Sequence, residues 1–157
     1  MMPLAVTLYE WLMFLHVLAA MIWVGGLVTL GVLATQVLRG GEPDAIARLV
    51  GSLRVVGPLV LAPAMVAVLG FGIWLVLDSD AWDFGQTWIW LALLLFAAAF
   101  LVGAILQSRA AIGAERAAAA GDEREAARQL RRWSWGMCLI VVALVVITWD
   151  MVVKPGL

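Results

Sequence analysis

Two polar side chains stand inside long apolar stretches, His16 near the start of the chain and Asp150 near its end. Polar groups are costly inside a membrane, so both are candidates for function. An imidazole can bind a metal ion, and a carboxylate bonded to its other ring nitrogen strengthens that ligand. If the two residues lie at one depth on neighbouring helices, Asp150 supports His16 as a metal ligand. The alternative is an ordinary buried hydrogen bond between them.

The other polar groups near His16 can support a binding site but do not form a catalytic set. Tyr9 and Glu10 lie about two helical turns before His16 and are expected to surround a group bound there. Met13, one turn before His16, carries a soft sulfur of the kind that copper prefers. The serines lie elsewhere in the chain, and Cys138 is the single cysteine. We therefore assign no catalytic residue.

The composition indicates that these residues lie in a membrane. Of 157 residues, 65% are hydrophobic and 13% are charged, and the mean hydropathy is +1.04. A soluble domain is about 45–50% apolar and about 25% charged, so this chain cannot cover a water-facing surface. The net charge of −1 gives no basic surface for nucleic acid. The composition predicts an integral membrane protein and excludes a soluble or a disordered one.

Four apolar runs predict four membrane-spanning helices. The runs at 11–38, 55–77, 84–108 and 133–153 have 28, 23, 25 and 21 residues, and Asp150 is the only charged residue in them. About 20 apolar residues cross the hydrocarbon core of a bilayer. The predicted fold is an all-α integral membrane four-helix bundle, one domain over residues 1–157, with spans at about 8–38, 57–78, 86–108 and 133–153.

Two connections between the spans are predicted to be helical. Apolar residues recur at helical spacing over 43–56, which indicates a short amphipathic helix on the membrane surface. Gly57–Pro58 then permits a sharp turn into the second span. Residues 109–132 are rich in Ala, Glu and Arg, and they predict a cytoplasmic helical hairpin that is broken at Gly121.

The basic residues predict the orientation of the chain. Nine of the ten Lys and Arg residues lie in the connections after the first and third spans, and the tenth is Lys154 near the end of the chain. Basic loops stay on the cytoplasmic side of a membrane. Both termini are therefore expected outside the cytoplasm, and His16 is expected in the outer half of the bilayer.

The first span also carries a recognisable string, LHVLAAMIWVGG at residues 15–26. Together with segments 74–78 and 151–157, it resembles a group of small bacterial membrane proteins that includes the CopD membrane domain and the HemJ-type protoporphyrinogen oxidases. The likeness is greatest to domain-of-unknown-function family 2269. The resemblance implies a multi-pass protein of the bacterial cytoplasmic membrane.

In HemJ-like chains a first-span histidine holds haem. The resemblance therefore implies haem b bound at His16, with Ala20 and Trp23 beside it, and a redox or electron-transfer role. One histidine per chain implies either five-coordinate haem or a haem that two chains share in a homodimer. HemJ-like chains also use a later intramembrane basic residue, and spans two to four here contain none, which argues against protoporphyrinogen oxidation.

Two other functions stay open. The likeness to CopD implies handling of copper or another metal by His16, Met13 and Asp150. Alternatively, the chain is a non-catalytic scaffold or a small subunit of a larger membrane complex, in which case it binds neither haem nor metal. A Soret band, bound copper or a colourless metal-free preparation distinguishes the three.

Overall fold

The computed structural model describes residues 7–156, and 88% of these residues are helical. The α-helices are α1 (Leu8–Gly40), α2 (Pro43–Val56), α3 (Ala62–Leu77), α4 (Thr87–Leu101), α5 (Ser108–Ala119) and α6 (Glu123–Val153). Wider π-helical segments join α2 to α3 (Gly57–Leu61) and α4 to α5 (Val102–Gln107). The result is four long helices, each apolar enough to cross a membrane. The predicted all-α membrane fold is confirmed.

Local hydrogen bonds fix the ends of these helices. At the start of α1, the Thr7 hydroxyl accepts the Glu10 N–H, and the Glu10 carboxylate accepts the Thr7 N–H. Asp122 caps α6 by accepting the N–H of Glu125 at 3.0 Å. Gly41 ends α1 at φ +69°, a left-handed conformation that glycine adopts without strain. Each cap satisfies backbone groups that a helix end leaves unpaired.

The second span continues as one helix through Gly57–Pro58, where the sequence permits a sharp turn. The chain is helical from Asp44 to Leu77. Pro58 has no N–H to bond the carbonyl four residues earlier, and the helix widens there instead of turning. The N–H of Ala62 bonds the carbonyl of Gly57, five residues back. The segment predicted as a separate surface helix therefore continues directly into the second span.

The third span continues past its apolar run in the same way. In its π-helical segment the N–H of Ser108 bonds the carbonyl of Gly103, and the Ser108 hydroxyl donates to the same oxygen at 3.3 Å. The helix ends at Ala119, and Gly121, at φ +72°, forms the turn into α6. α5 and the start of α6 pack together, so residues 109–132 form a helical hairpin.

The four long helices pack side by side in the order α3, α1, α6, α4. We call the end that holds α2, α5 and most arginines the basic end, and the end with the loop at 78–86 the acidic end. At the basic end α2 packs against α5. Within residues 7–156, however, α3 and α4 do not pack against each other. The bundle is therefore open along one side, between the second and third spans.

Candidate functional site

His16 projects from α1 toward α3. Its Nδ1 lies 2.9 Å from the carbonyl oxygen of Val68. A carbonyl oxygen can only accept a hydrogen bond, so Nδ1 carries the proton and donates it. In the neutral ring this leaves the lone pair on Nε2. A histidine that ligates a metal has this arrangement, in which the second ring nitrogen donates to a backbone carbonyl and fixes the tautomer.

Gly72 makes room for the His16 ring against α3. A Cβ atom at position 72 would lie 3.1 Å from Cε1 and 3.4 Å from Nδ1 of His16. The first distance is shorter than an ordinary van der Waals contact, so a side chain at 72 would require the ring to shift by a few tenths of an ångström. Gly70, on the same helix, has nothing within 4 Å of such a Cβ. The glycine at 72 therefore allows the imidazole to reach the Val68 carbonyl.

The other ring nitrogen of His16 is accessible from outside the chain. Within residues 7–156, Nε2 makes no hydrogen bond, and it is not among the buried polar atoms that lack a partner. His16 is half-buried and lies seven residues before Trp23, on the same face of α1. The lone pair of Nε2 is thus available to a ligand or to a neighbouring molecule.

Asp150 does not contact His16 as a hydrogen-bond partner. Its side chain is 0% exposed on α6, and within the described chain neither carboxylate oxygen has a hydrogen-bond partner. The sequence left open whether the two residues pair. In the structure His16 bonds to Val68 of α3, whereas Asp150 lies on α6 without a partner in the described chain. Helices α1 and α6 are neighbours, but helix order alone does not decide which faces meet.

Of the other predicted site residues, Ala20 and Trp23 lie on the inward side of α1. Ala20 is half-buried. Trp23 is 5% exposed and packs on Phe96 of α4, with ring centroids 5.5 Å apart. Met13 is 45% exposed. Trp23 therefore belongs to the core between α1 and α4, and Met13 faces outward.

Tyr9 and Glu10 make bonds that do not involve His16. The Tyr9 hydroxyl accepts the indole N–H of Trp82 at 3.4 Å, and Glu10 caps the first turn of α1. Neither bond supports the expected role around a group at His16. The Trp82 ring also lies under Lys154, whose Nζ is 3.8 Å from the ring centroid. This cation–π contact ties the end of α6 to the loop at the acidic end.

A three-residue metal site is not assembled in the part of the chain that the structure describes. There, no group of three or more His, Cys, Asp and Glu side chains is close enough to hold a metal ion. The copper ligands expected from the sequence were His16, Met13 and Asp150. The carboxylate of this set lies buried on α6 without a bond to the imidazole, so geometry does not support the set.

A cavity of about 490 Å³ lies between the second and third spans, where the bundle is open. Its lining is mostly apolar and comes from all four long helices, including Trp23, Leu30, Met65, Phe100, Met137 and Ile140. Gln107 is its buried polar residue, 8% exposed. Gln107 was not predicted as a site residue, because the sequence of an apolar helix does not show whether a gap lies beside it.

Gln107 is unpaired within the described chain: neither its amide oxygen nor its amide nitrogen has a hydrogen-bond partner. It lies against Gly136 of α6, where an added Cβ would be 3.5 Å from the amide nitrogen. Since an unpaired buried amide is unfavourable, Gln107→Leu is expected to raise the free energy of unfolding by about 1 kcal/mol. The measurement is the unfolding curve of the purified protein in detergent, without added lipid.

Gln36→Leu is the matched control for this prediction, because Gln36 is exposed on α1 and its replacement is expected to change stability little. A loss of stability in Gln107→Leu would contradict the prediction, since it would mean that the amide is hydrogen-bonded.

The comparisons with known proteins agree with the membrane fold. The family described as "Predicted integral membrane protein (DUF2269)" matches residues 10–155. No curated protein and no solved structure matches the chain. The matched region includes His16, Gln107 and Asp150 and nearly all of the described chain. The chain therefore belongs to the DUF2269 family of predicted integral membrane proteins.

Proposed function

We propose that the protein binds haem b in the membrane through Nε2 of His16 and that it has a redox or electron-transfer role. The observation that carries this proposal is the hydrogen bond from Nδ1 to the Val68 carbonyl, together with the accessibility of Nε2. The bond fixes the tautomer that a metal ligand needs, and it increases the basicity of Nε2. His16 is also the only histidine in the chain.

The imidazole of His16 is suited to be an axial ligand of haem iron, which proteins commonly hold through histidine. Val68 and Gly72 hold the imidazole in position, and Ala20 lies one turn further along α1. Since Nε2 is accessible from outside the described chain, a flat ligand bound there needs a second wall. We propose that a second copy of the chain provides it in a homodimer, with either one or two His16 ligands.

Bound haem would supply reversible one-electron chemistry. The protein's part is to hold the imidazole tautomer, orient the ring and keep water from the site. We assign no catalytic residue, because no described residue beside His16 forms a nucleophile–base pair. No observation favours copper over haem.

The test is the absorption spectrum of protein purified from cells that are supplied with a haem precursor. We expect a Soret band that remains after gel filtration, with haem quantified per chain. One high-spin haem per chain indicates a single His16 ligand, and one low-spin haem per two chains indicates a shared site. A colourless preparation that does not retain added haemin contradicts the proposal and favours a scaffold. Bound copper in such a preparation favours metal handling.

We also propose that the protein lies in the bacterial cytoplasmic membrane with both termini outside. The support is the nine-to-one distribution of basic residues between the two ends. Alkaline phosphatase, which is active only outside the cytoplasm, is expected to be active when fused after residue 157 and inactive when inserted at Gly121. The opposite result would reverse the orientation and place His16 in the cytoplasmic half of the bilayer.

A further inference from the structure

The cavity between the second and third spans has the size and shape of a small-molecule site. Its volume of about 490 Å³ falls within the range of about 300–1,000 Å³ that is typical of ligand pockets. Because α3 and α4 do not pack against each other in the described chain, the cavity opens sideways between two membrane spans. A molecule that is dissolved in the bilayer can therefore enter it without crossing water.

The cavity contains one buried polar side chain with unmet hydrogen bonds. Gln107 is 8% exposed, and both its amide oxygen and its amide nitrogen lack a partner in the described chain. Polar groups are rarely left unpaired in apolar surroundings because desolvation is costly. One hydroxyl group can satisfy both atoms, since it donates to the oxygen and accepts from the nitrogen.

Both irregular helical segments face this cavity. Gly57, Pro58 and Leu61 of the first π-helical segment line it, as do Gly103 and Gln107 of the second. π-Helical turns occur frequently at functional sites, because they displace side chains from the regular helical positions. Here the second segment ends at Gln107, so the widened turn carries the amide into the cavity wall.

The charges at the basic end of the cavity are already paired. Arg54 of α2 and Glu115 of α5 both line the cavity and form an ion pair, with 2.7 Å between Nη1 and Oε1. This pair neutralises the two charged side chains of the lining. Apart from Gln107 and Ser108, which are uncharged, the rest of the wall is apolar. The cavity therefore favours an uncharged ligand.

From these observations, we infer that the cavity between α3 and α4 binds an uncharged, lipid-like alcohol. Its hydroxyl group pairs with the Gln107 amide, and its hydrocarbon tail leaves between α3 and α4 into the bilayer. This site is distinct from His16, which does not line the cavity, and it does not depend on haem binding.

The experiment uses a long-chain alcohol with a photoreactive diazirine in its tail. Full-length protein in vesicles of phosphatidylcholine and phosphatidylglycerol is irradiated with the probe, and the labelled residues are mapped by mass spectrometry. Labelling is expected at cavity residues such as Met65 and Phe100. The methyl ether of the same probe cannot donate a hydrogen bond to the amide oxygen, and it is expected to label them less.

Gln107→Leu is expected to reduce cavity labelling about tenfold, which corresponds to the loss of a good hydrogen-bonded anchor. Its control, Gln36→Leu, is expected to leave labelling unchanged. A second pair of variants tests whether labelling requires the space in the cavity. Ala104 lines the cavity and Ala97 does not. Ala104→Phe is therefore expected to block labelling, and Ala97→Phe is expected to leave it unchanged. Circular dichroism checks that each variant is folded.

Two results would overturn the inference. One is equal cavity labelling in wild type and folded Gln107→Leu, which would mean that bulk lipid simply fills the gap. The other is labelling spread evenly over lipid-facing residues such as Val66 and Leu94, which are 65% and 67% exposed. His16→Ala is expected to leave cavity labelling unchanged, so failure of the haem proposal and failure of this inference are distinguishable.

Discussion

Replacing Trp23 with alanine is expected to lower the free energy of unfolding by about 3 kcal/mol. Trp23 is 5% exposed, packs on Phe96 and lines the wall of the cavity. Its side chain therefore connects α1 with α4, two helices whose backbones do not pack directly. Within a bilayer the loss comes mainly from dispersion contacts, because helix association there has no hydrophobic driving force.

The control for Trp23→Ala is Trp90→Ala, since Trp90 is 61% exposed on α4. Unfolding of both variants by denaturant in mixed micelles, followed by circular dichroism, gives the comparison. Trp90→Ala is expected to cost less than about 0.5 kcal/mol, as surface substitutions usually do. Equal losses of unfolding free energy in the two variants would mean that the contact between Trp23 and Phe96 does not stabilise the bundle.

Gly72→Ala is expected to weaken haem binding by roughly tenfold, the low end of the effect of disturbing the partner of a metal ligand. The added Cβ would lie 3.1 Å from Cε1 of His16. The ring must then shift away from α3, which lengthens its hydrogen bond to the Val68 carbonyl. Titration of the apoprotein with haemin, followed at the Soret band, measures the affinity.

Gly70→Ala separates this effect from a general change in helix propensity. A Cβ at position 70 meets nothing within 4 Å, and both substitutions replace a helical glycine with alanine. Haem affinity is expected to be unchanged in Gly70→Ala. Similar affinities for Gly72→Ala and wild type would show that the imidazole does not depend on its position against α3.

Much of the fold is predictable from the sequence because the bilayer imposes a simple rule. A run of about 20 apolar residues must cross as a helix, and the four runs correspond to the four long helices. The helix break at Gly121 was also predictable from the sequence, because glycine favours the left-handed conformation that ends a helix. Gly121 adopts this conformation at the turn into α6. Pro58 also indicates an irregularity in the helix, but its missing N–H is compatible with either a turn or a widened helix.

The contacts between helices were less predictable. These helices are apolar on all faces, so the pattern does not show whether His16 meets α3 or α6. The pairing with Asp150 stayed open because it rested on depth alone, and depth is the same for both neighbours of α1. The cavity at Gln107 depends on a gap between α3 and α4. The types of the residues beside a gap do not differ from those of other apolar residues, so the sequence does not reveal it. Its one sequence signal was an amide near the end of an apolar run.

The most direct test of haem binding through His16 is rescue of His16→Gly by imidazole. This variant removes the ring and leaves a space of its size beside Val68. We expect the folded variant to lack a Soret band, and we expect imidazole to restore it. 1-Methylimidazole, which has no N–H for the Val68 carbonyl, is expected to restore it less well. A Soret band in His16→Gly without imidazole, or no recovery with it, would contradict the account.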